Sequence, residues 1–182
     1  MANEGDLDAL DRRILDLLQE DGRKTFAEIG AVVGLSAPSA HQRVKKLESR
    51  GAIRRYTALL NPDVSGYGVL AFILVIQAAH ADWDELNRAF AAIPEITECH
   101  HVAGEEDYLL KVRARDTLDL ERVLRAVSAD RHVDATRTMV VLSSAFEDRG
   151  LPLELLGQTG GAASPARPGG TRRAETGRPG RT

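Results

Sequence analysis

Residues 34–51, GLSAPSAHQRVKKLESRG, decide the reading of the N-terminal third. Gly34-Leu35 is a chain break, and Ser36 is an N-cap for the segment that follows. Pro38 is tolerable in its first turn, where backbone N–H groups lack intrahelical partners, and Gly51 ends it. At about 100° per residue, Ala37, Ala40, Val44 and Leu47 fall on one side of a helix, whereas Ser39, Gln42 and Lys46 fall opposite, flanked by Arg43 and Lys45. The segment therefore has an apolar underside for packing and an outer strip of small, amide and cationic side chains.

Residues before it supply the packing partners. In LDALDRRILDLLQ, residues 7–19, Leu7, Leu10, Ile14, Leu17 and Leu18 recur at helical spacing, and Asp21-Gly22 is the stop. Thr25 and Glu28 make a capping box for a second helix with Phe26, Ile29 and Val33 as its stripe. Two helices joined by a tight Gly-containing turn and braced by a first helix form a helix-turn-helix. In that arrangement Ser39, His41 and Gln42 are candidates to reach base edges, Arg43, Lys45, Lys46, Arg54 and Arg55 to hold phosphates, and Ser36 to contact DNA beside them. Arg54-Arg55-Tyr56 reads as a short wing or linker strand along the DNA backbone. The plainer alternative is an ordinary solvated face.

Charge distribution favours the first reading. The 182 residues carry a net −3, yet Ser36 to Tyr56 holds six bases against one acid. Residues 1–66 balance ten acids with ten bases, residues 67–156 have sixteen acids and nine bases, and residues 157–182 have one acid and five bases. A local positive patch on an acidic chain points to an anion site.

After the Pro62, Gly66 and Gly68 hinge, the periodicity changes. GVLAFILVIQ is a strand without a polar residue from Val69 to Ile76; Asp82 and Glu85 make a second capping box, opening a helix on which Trp83, Leu86, Phe90 and Ile93 share a face. EITECHHV and YLLKVRA are strands around a GEED turn, Asp116 and Asp119 open a second helix, and VDATRTMVVLSSAFE closes as a strand. The order β-α-β-β-α-β is that of a ferredoxin-like α+β sandwich. Both helices then cover one sheet face, but both faces are apolar: Leu70, Phe72, Leu74 and Ile76 oppose Ala71, Ile73 and Val75. A second copy packed face to face answers this, giving an isologous homodimer with two recognition helices.

Residues 157–182, rich in Gly, Pro, Ala, Thr and Arg, read as a disordered tail. No run is long and apolar enough to span a membrane, and the first thirty residues lack a basic segment before an apolar one, so the reading is cytoplasmic. A single cysteine, Cys99, excludes an intrachain disulfide framework. Neighbouring strand side chains point to opposite faces, so Cys99-His100-His101 cannot chelate one metal ion, and Cys99 in an apolar strand is expected to be buried and inert. No catalytic triad, phosphate loop or H-E-x-x-H motif appears.

Taken in order, LDALDRRILDLLQEDGR, VGLS with RVKKLESRGAI, YTALLNP, ECHHVAGEEDYLLKV and TRTMVVL resemble the Lrp/AsnC family of leucine-responsive and asparagine-responsive regulators, over about residues 6–150. The resemblance implies an α+β chain with a winged helix-turn-helix at 6–60, a hinge at 61–68 and a ferredoxin-like sensing and dimerisation domain at 69–150. It implies dimers able to assemble to octamers, no cofactor, and an amino-acid effector bound between subunits. The matching effector positions are His101, Gly104, Glu105, Glu106, Asp107, Met139 and Val140; His101 and the GEED loop depart from the family's commoner residues. Physically, the loop carboxylates can receive an α-ammonium, or be exposed turn residues only. Two other classes remain: a tetrapyrrole decarboxylase of the same architecture, assisted by His100 or His101, and a sensor that works through protein partners without DNA.

Overall fold

Asp8 opens α1 (Ala9–Glu20) by accepting the Asp11 backbone N–H at 2.7 Å. Thr25 opens α2 (Phe26–Val33) through a complete capping box: its hydroxyl accepts the Glu28 N–H at 3.2 Å, and Glu28 Oε2 accepts the Thr25 N–H at 2.7 Å. Ser36 caps α3 (Ala37–Ser49). Between α2 and α3 the turn is tight. The Leu35 N–H donates to Gly30 O at 2.8 Å, Gly34 takes a left-handed φ of 73°, and a Cβ on Gly30 would lie 2.5 Å from Leu35 O. Only glycine fits at position 30 without moving the backbone.

The three helices close on Ile14, Leu15, Leu17, Ile29, Ala40, Val44 and Leu47, all buried. Each large aliphatic there contributes about 1.5–3 kcal/mol. The underside expected for α3 is the observed one, with Ala37 half-buried at its edge. Phe26, expected in the stripe of α2, is instead 39% exposed and lies against His41, with ring centroids 4.6 Å apart.

The computed structural model describes residues 7–153, in two units: one reaches to Tyr56 and takes in the chain again from Gly150, the other is Thr57–Arg149. The expected tail, 157–182, lies outside the described residues. In the first unit the returning segment packs on α1. Gln19 brackets the Leu151 backbone, its Oε1 accepting the Leu151 N–H at 2.7 Å and its Nε2 donating to Leu151 O at 3.2 Å, and Leu153 joins the helical core. The expected hinge residues 61–68 belong to the second unit, where Asn61 Oδ1 accepts the Asp63 N–H at 3.0 Å to form a turn. Residues 54–61 form no strand, so Arg54-Arg55-Tyr56 is not a wing. Among the described residues no strand pairs with this segment.

The second unit runs β1 (Val69–Gln77), α4 (Trp83–Ala91), β2 (Ile96–His101), β3 (Tyr108–Ala114), α5 (Thr117–Ser128) and β4 (Val133–Val140). Its antiparallel sheet has the order β2-β3-β1-β4, which is the ferredoxin-like topology. Register places Ala71, Ile73 and Val75 beside Val112, Leu110 and Tyr108, and these pack with Leu86, Phe90, Leu120, Val123 and Val127 of the helices. On the other face Phe72 lies between Lys111 and Met139, and Leu74 between Leu109 and Arg137. No helix of this unit covers that second face. Among the described residues it has a half-buried apolar centre, with Ile76 and Met139 exposed, ringed by charge. Lys111 pairs with Glu98 at 3.0 Å, and Arg113 with Glu147, from the irregular chain that replaces the expected continuation of β4 beyond Val140.

Two further sequence expectations are corrected. Asp82 caps α4, accepting the Asp84 and Glu85 N–H groups, but Glu85 pairs with Arg131 at 2.7 Å in place of closing the box. Cys99 is exposed because β2 is an edge strand, although partial burial still pushes its thiol pKa up.

Asp119 anchors α5. Its buried carboxylate accepts from Arg115 Nε at 3.1 Å, the Arg115 backbone N–H at 3.2 Å and Arg122 Nη2 at 3.0 Å, and the Arg115 bonds hold its pKa far below the usual carboxylate range. A depressed folded pKa gives stability that is complete above the unfolded value, about 3.9, and is lost as pH falls from there toward the folded one. Asp119→Asn is therefore expected to lower the thermal midpoint at pH 7 and to flatten its decline below about pH 4. Melting curves from pH 2 to 7 check this; an unchanged acid limb contradicts it.

Candidate nucleic-acid interface and effector region

Along α3 the outer strip is presented as the wheel requires: Ser39, His41, Gln42, Lys45 and Lys46 are all exposed. Ser36 is exposed too, but its hydroxyl is shared with the cap, 2.9 Å from Ser39 Oγ. Lys45, Lys46, Arg54 and Arg55 have no ion-pair partner among the described residues, so their charge faces solvent. Tyr56 fixes the chain leaving α3, its hydroxyl donating to Glu48 Oε1 at 2.9 Å; burial, then that carboxylate, pushes its pKa up to about 12.

Arg43 behaves differently from the other cations. Its Nη1 donates to Asp8 Oδ2 at 2.7 Å and to Asp11 Oδ1 at 2.6 Å, which raises its own pKa and, after the cap bond from the Asp11 N–H, helps lower that of Asp8. Sequence reasoning grouped Arg43 with the phosphate contacts because helical spacing puts it beside Lys46. The pairing acids lie 35 and 32 residues away, beyond the reach of any local pattern.

The seven expected effector residues do not converge within one chain. Asp107 closes the β2-β3 turn onto the end of β1: its N–H donates to Val75 O at 2.9 Å, and its Oδ2 accepts the Gln77 N–H at 2.8 Å. Glu106 pairs with Arg137, and Glu105 is exposed. A Cβ on Gly104 would meet nothing within 4 Å, so no contact in the chain itself calls for glycine there. His101 lies beside Tyr108, ring centroids 4.0 Å apart, and 4.9 Å from Trp83. The Tyr108 hydroxyl is buried without a hydrogen-bond partner among the described residues, and burial raises its pKa. Met139 and Val140 are half-exposed on opposite faces, paired with Phe72 and Ala71 respectively. Trp83 and Tyr108, which lie against His101, and Arg137, which pairs with Glu106, are not among the residues expected from the sequence; strand alternation around the β2-β3 turn places Tyr108, whereas Arg137 comes from the distant β4.

No group of three or more His, Cys, Asp or Glu side chains among the described residues is arranged to hold a metal ion. No helix among them is long and apolar enough to cross a membrane.

Residues 7–48 match the AsnC-type helix-turn-helix domain, and residues 70–151 the Lrp/AsnC ligand binding domain. The chain is 35% identical over 150 residues to the HTH-type transcriptional regulator FL11 of Pyrococcus furiosus, covering 82% of this chain and 99% of that one. It is 38% identical over 152 residues to the leucine-responsive regulatory protein of Escherichia coli, covering 82% and 93%. Among solved structures it is similar to a feast or famine regulatory protein from M. tuberculosis complexed with L-methionine, at a TM-score of 0.75 and 34% identity over 80% of this chain and 99% of that one. These relatives are named as regulators, which favours the regulator reading over the decarboxylase alternative. With both halves matched in order and the helix-turn-helix geometry intact, the chain belongs to the Lrp/AsnC family of transcriptional regulators.

Proposed function

We propose that the chain acts in the cytoplasm as a homodimer, able to assemble further, that grips duplex DNA through α3 and changes its grip when an amino acid binds where copies of the second unit meet. The observation that carries the DNA contact is the outer strip of α3. Ser39, His41 and Gln42 stand nearer its N-terminal end, where base edges are reached, and Lys45 and Lys46 follow, with no ion-pair partner among the described residues. Ser36, Arg54 and Arg55 extend the phosphate footprint. Arg43 is left out of it, because its charge is already engaged.

The effector assignment is supported by the way its residues fail to meet. His101, Glu105, Asp107, Met139 and Val140 lie at the surface or at the sheet end and on both faces, so one ligand touching them all needs a second chain. Asp107 has one carboxylate oxygen on the Gln77 N–H, and the other, without a hydrogen-bond partner among the described residues, can take an α-ammonium. Its similarity to a relative complexed with L-methionine makes amino acids the first class to test.

The experiment is a panel of amino acids against the full chain, read by melting temperature and by footprinting on its own upstream DNA. At 100 times its Kd a ligand contributes about 2.7 kcal/mol, a shift of several degrees. Asp107→Asn keeps an acceptor for the Gln77 N–H but loses the charge, and is expected to abolish the shift without unfolding the turn. A panel without any response, or a response intact in Asp107→Asn, contradicts the effector assignment.

A further inference from the structure

The Asp8–Arg43–Asp11 cluster joins the helix that would enter DNA to the first turn of the helix that braces it. We propose that Arg43 is a positioning residue, which clamps α3 to the start of α1 and makes no phosphate contact of its own. This rests on the reading of α3 as the DNA-contacting helix.

Three observations carry it. The same nitrogen, Nη1, bridges both carboxylates at 2.7 and 2.6 Å, and Arg43's side chain is only 32% exposed. Asp11, at 10% side-chain exposure, is nearly enclosed, and a buried carboxylate needs a partner. Asp8 is committed on both oxygens, one capping α1 at Asp11 N and the other on Arg43. The bond to Arg43 therefore ties the α1 cap to α3. Two acids against one base leave the cluster negative, so it offers no attraction to a phosphate. On α3, Arg43 borders the buried strip of Ala40, Val44 and Leu47, next to Gln42 and about one turn before Lys46. Fixing its guanidinium fixes the rotation of the helix, and with it the direction of the base-reading side chains.

A phosphate contact and a clamp differ in what salt does. Losing a phosphate contact shallows the dependence of log affinity on log salt by about 0.9 per protomer engaged, whereas losing a clamp leaves that slope alone. The test uses the full chain with Arg43→Gln, Asp11→Asn, the pair together, and Lys46→Ala as the comparator. For Arg43→Gln the expected results are a salt slope equal to that of the unaltered chain, several-fold weaker binding at fixed salt, and amide exchange in α1 and α3 faster by about tenfold. The double variant is expected to exchange more slowly than the product of the two single effects requires, because removing both leaves no buried charge orphaned; Asp8, which remains charged, is half-exposed. Lys46→Ala is expected to shallow the slope and leave exchange unchanged. The proposal is overturned if Arg43→Gln shallows the slope as Lys46→Ala does, or if exchange is unaltered or the two effects are independent. Should the unaltered chain bind DNA without salt dependence, the DNA reading of α3 fails, and the exchange coupling still decides whether Arg43 clamps.

Discussion

Reversing charge at Lys45 and Lys46 together, each to glutamate, is expected to weaken DNA binding about 10³-fold near 0.15 M salt and to shallow the salt slope of a bound dimer by about 4. Both side chains are exposed and unpaired among the described residues, so the folded state loses little. The loss arises on the DNA: each cation that neutralises a phosphate releases counterions, and a dimer presents four such cations from these two positions. Substituted glutamates also repel the phosphates. Binding to any duplex should fall together, specific site or not, because phosphates carry no sequence information. Titrations at several salt concentrations against a specific and an unrelated duplex check this. Unchanged affinity, or a loss confined to one sequence, contradicts the assignment.

The second large effect lies on the open sheet face. Phe72 sits at its centre between Lys111 and Met139, with Leu74 and Leu109 alongside. Phe72→Asp would place an unpaired charge in the middle of the interface proposed between two copies, which costs several kcal/mol and has no second site to compensate it. The expected result is a monomer in sedimentation at micromolar concentration, with helix and strand content retained, because the core on the helix face is untouched. Separating the two recognition helices then removes the gain from linked binding, about 10²–10⁴-fold on a two-half-site duplex. A Phe72→Asp chain that stays dimeric contradicts the face-to-face pairing.

The sequence carries the parts of this fold that depend on local period. Alternation in residues 69–76 gives the two sheet faces, and three- and four-residue spacing gives the underside of α3, residue for residue at Ala40, Val44 and Leu47. What it lacks is tertiary. Phe26 and Trp83 continue apolar stripes yet lie at their exposed edges, 39% and 58% accessible, because a stripe does not state how wide the partner surface is. Gly30 looks like a weak point in α2 until Leu35 O is seen 2.5 Å from where its Cβ would be. Leu153, beyond the last strand, packs in the helical core because the chain returns to α1. Arg43 belongs to the same class: its neighbours on the helix suggest a groove contact, whereas its neighbours in space, Asp8 and Asp11, engage its charge. The effector set is the extreme case, since its residues are legible only through the resemblance and do not meet within one chain.

Base selection by Gln42 is the point on which the account turns, for a cation strip alone would make a binder of any duplex. Sequence selection from a random duplex pool, run in parallel with the unaltered chain and with Gln42→Ala, measures it directly. The account predicts that the variant keeps its salt slope while discrimination relaxes at one base pair of each half-site by about 1–3 kcal/mol. Identical preferences for the two proteins would contradict it.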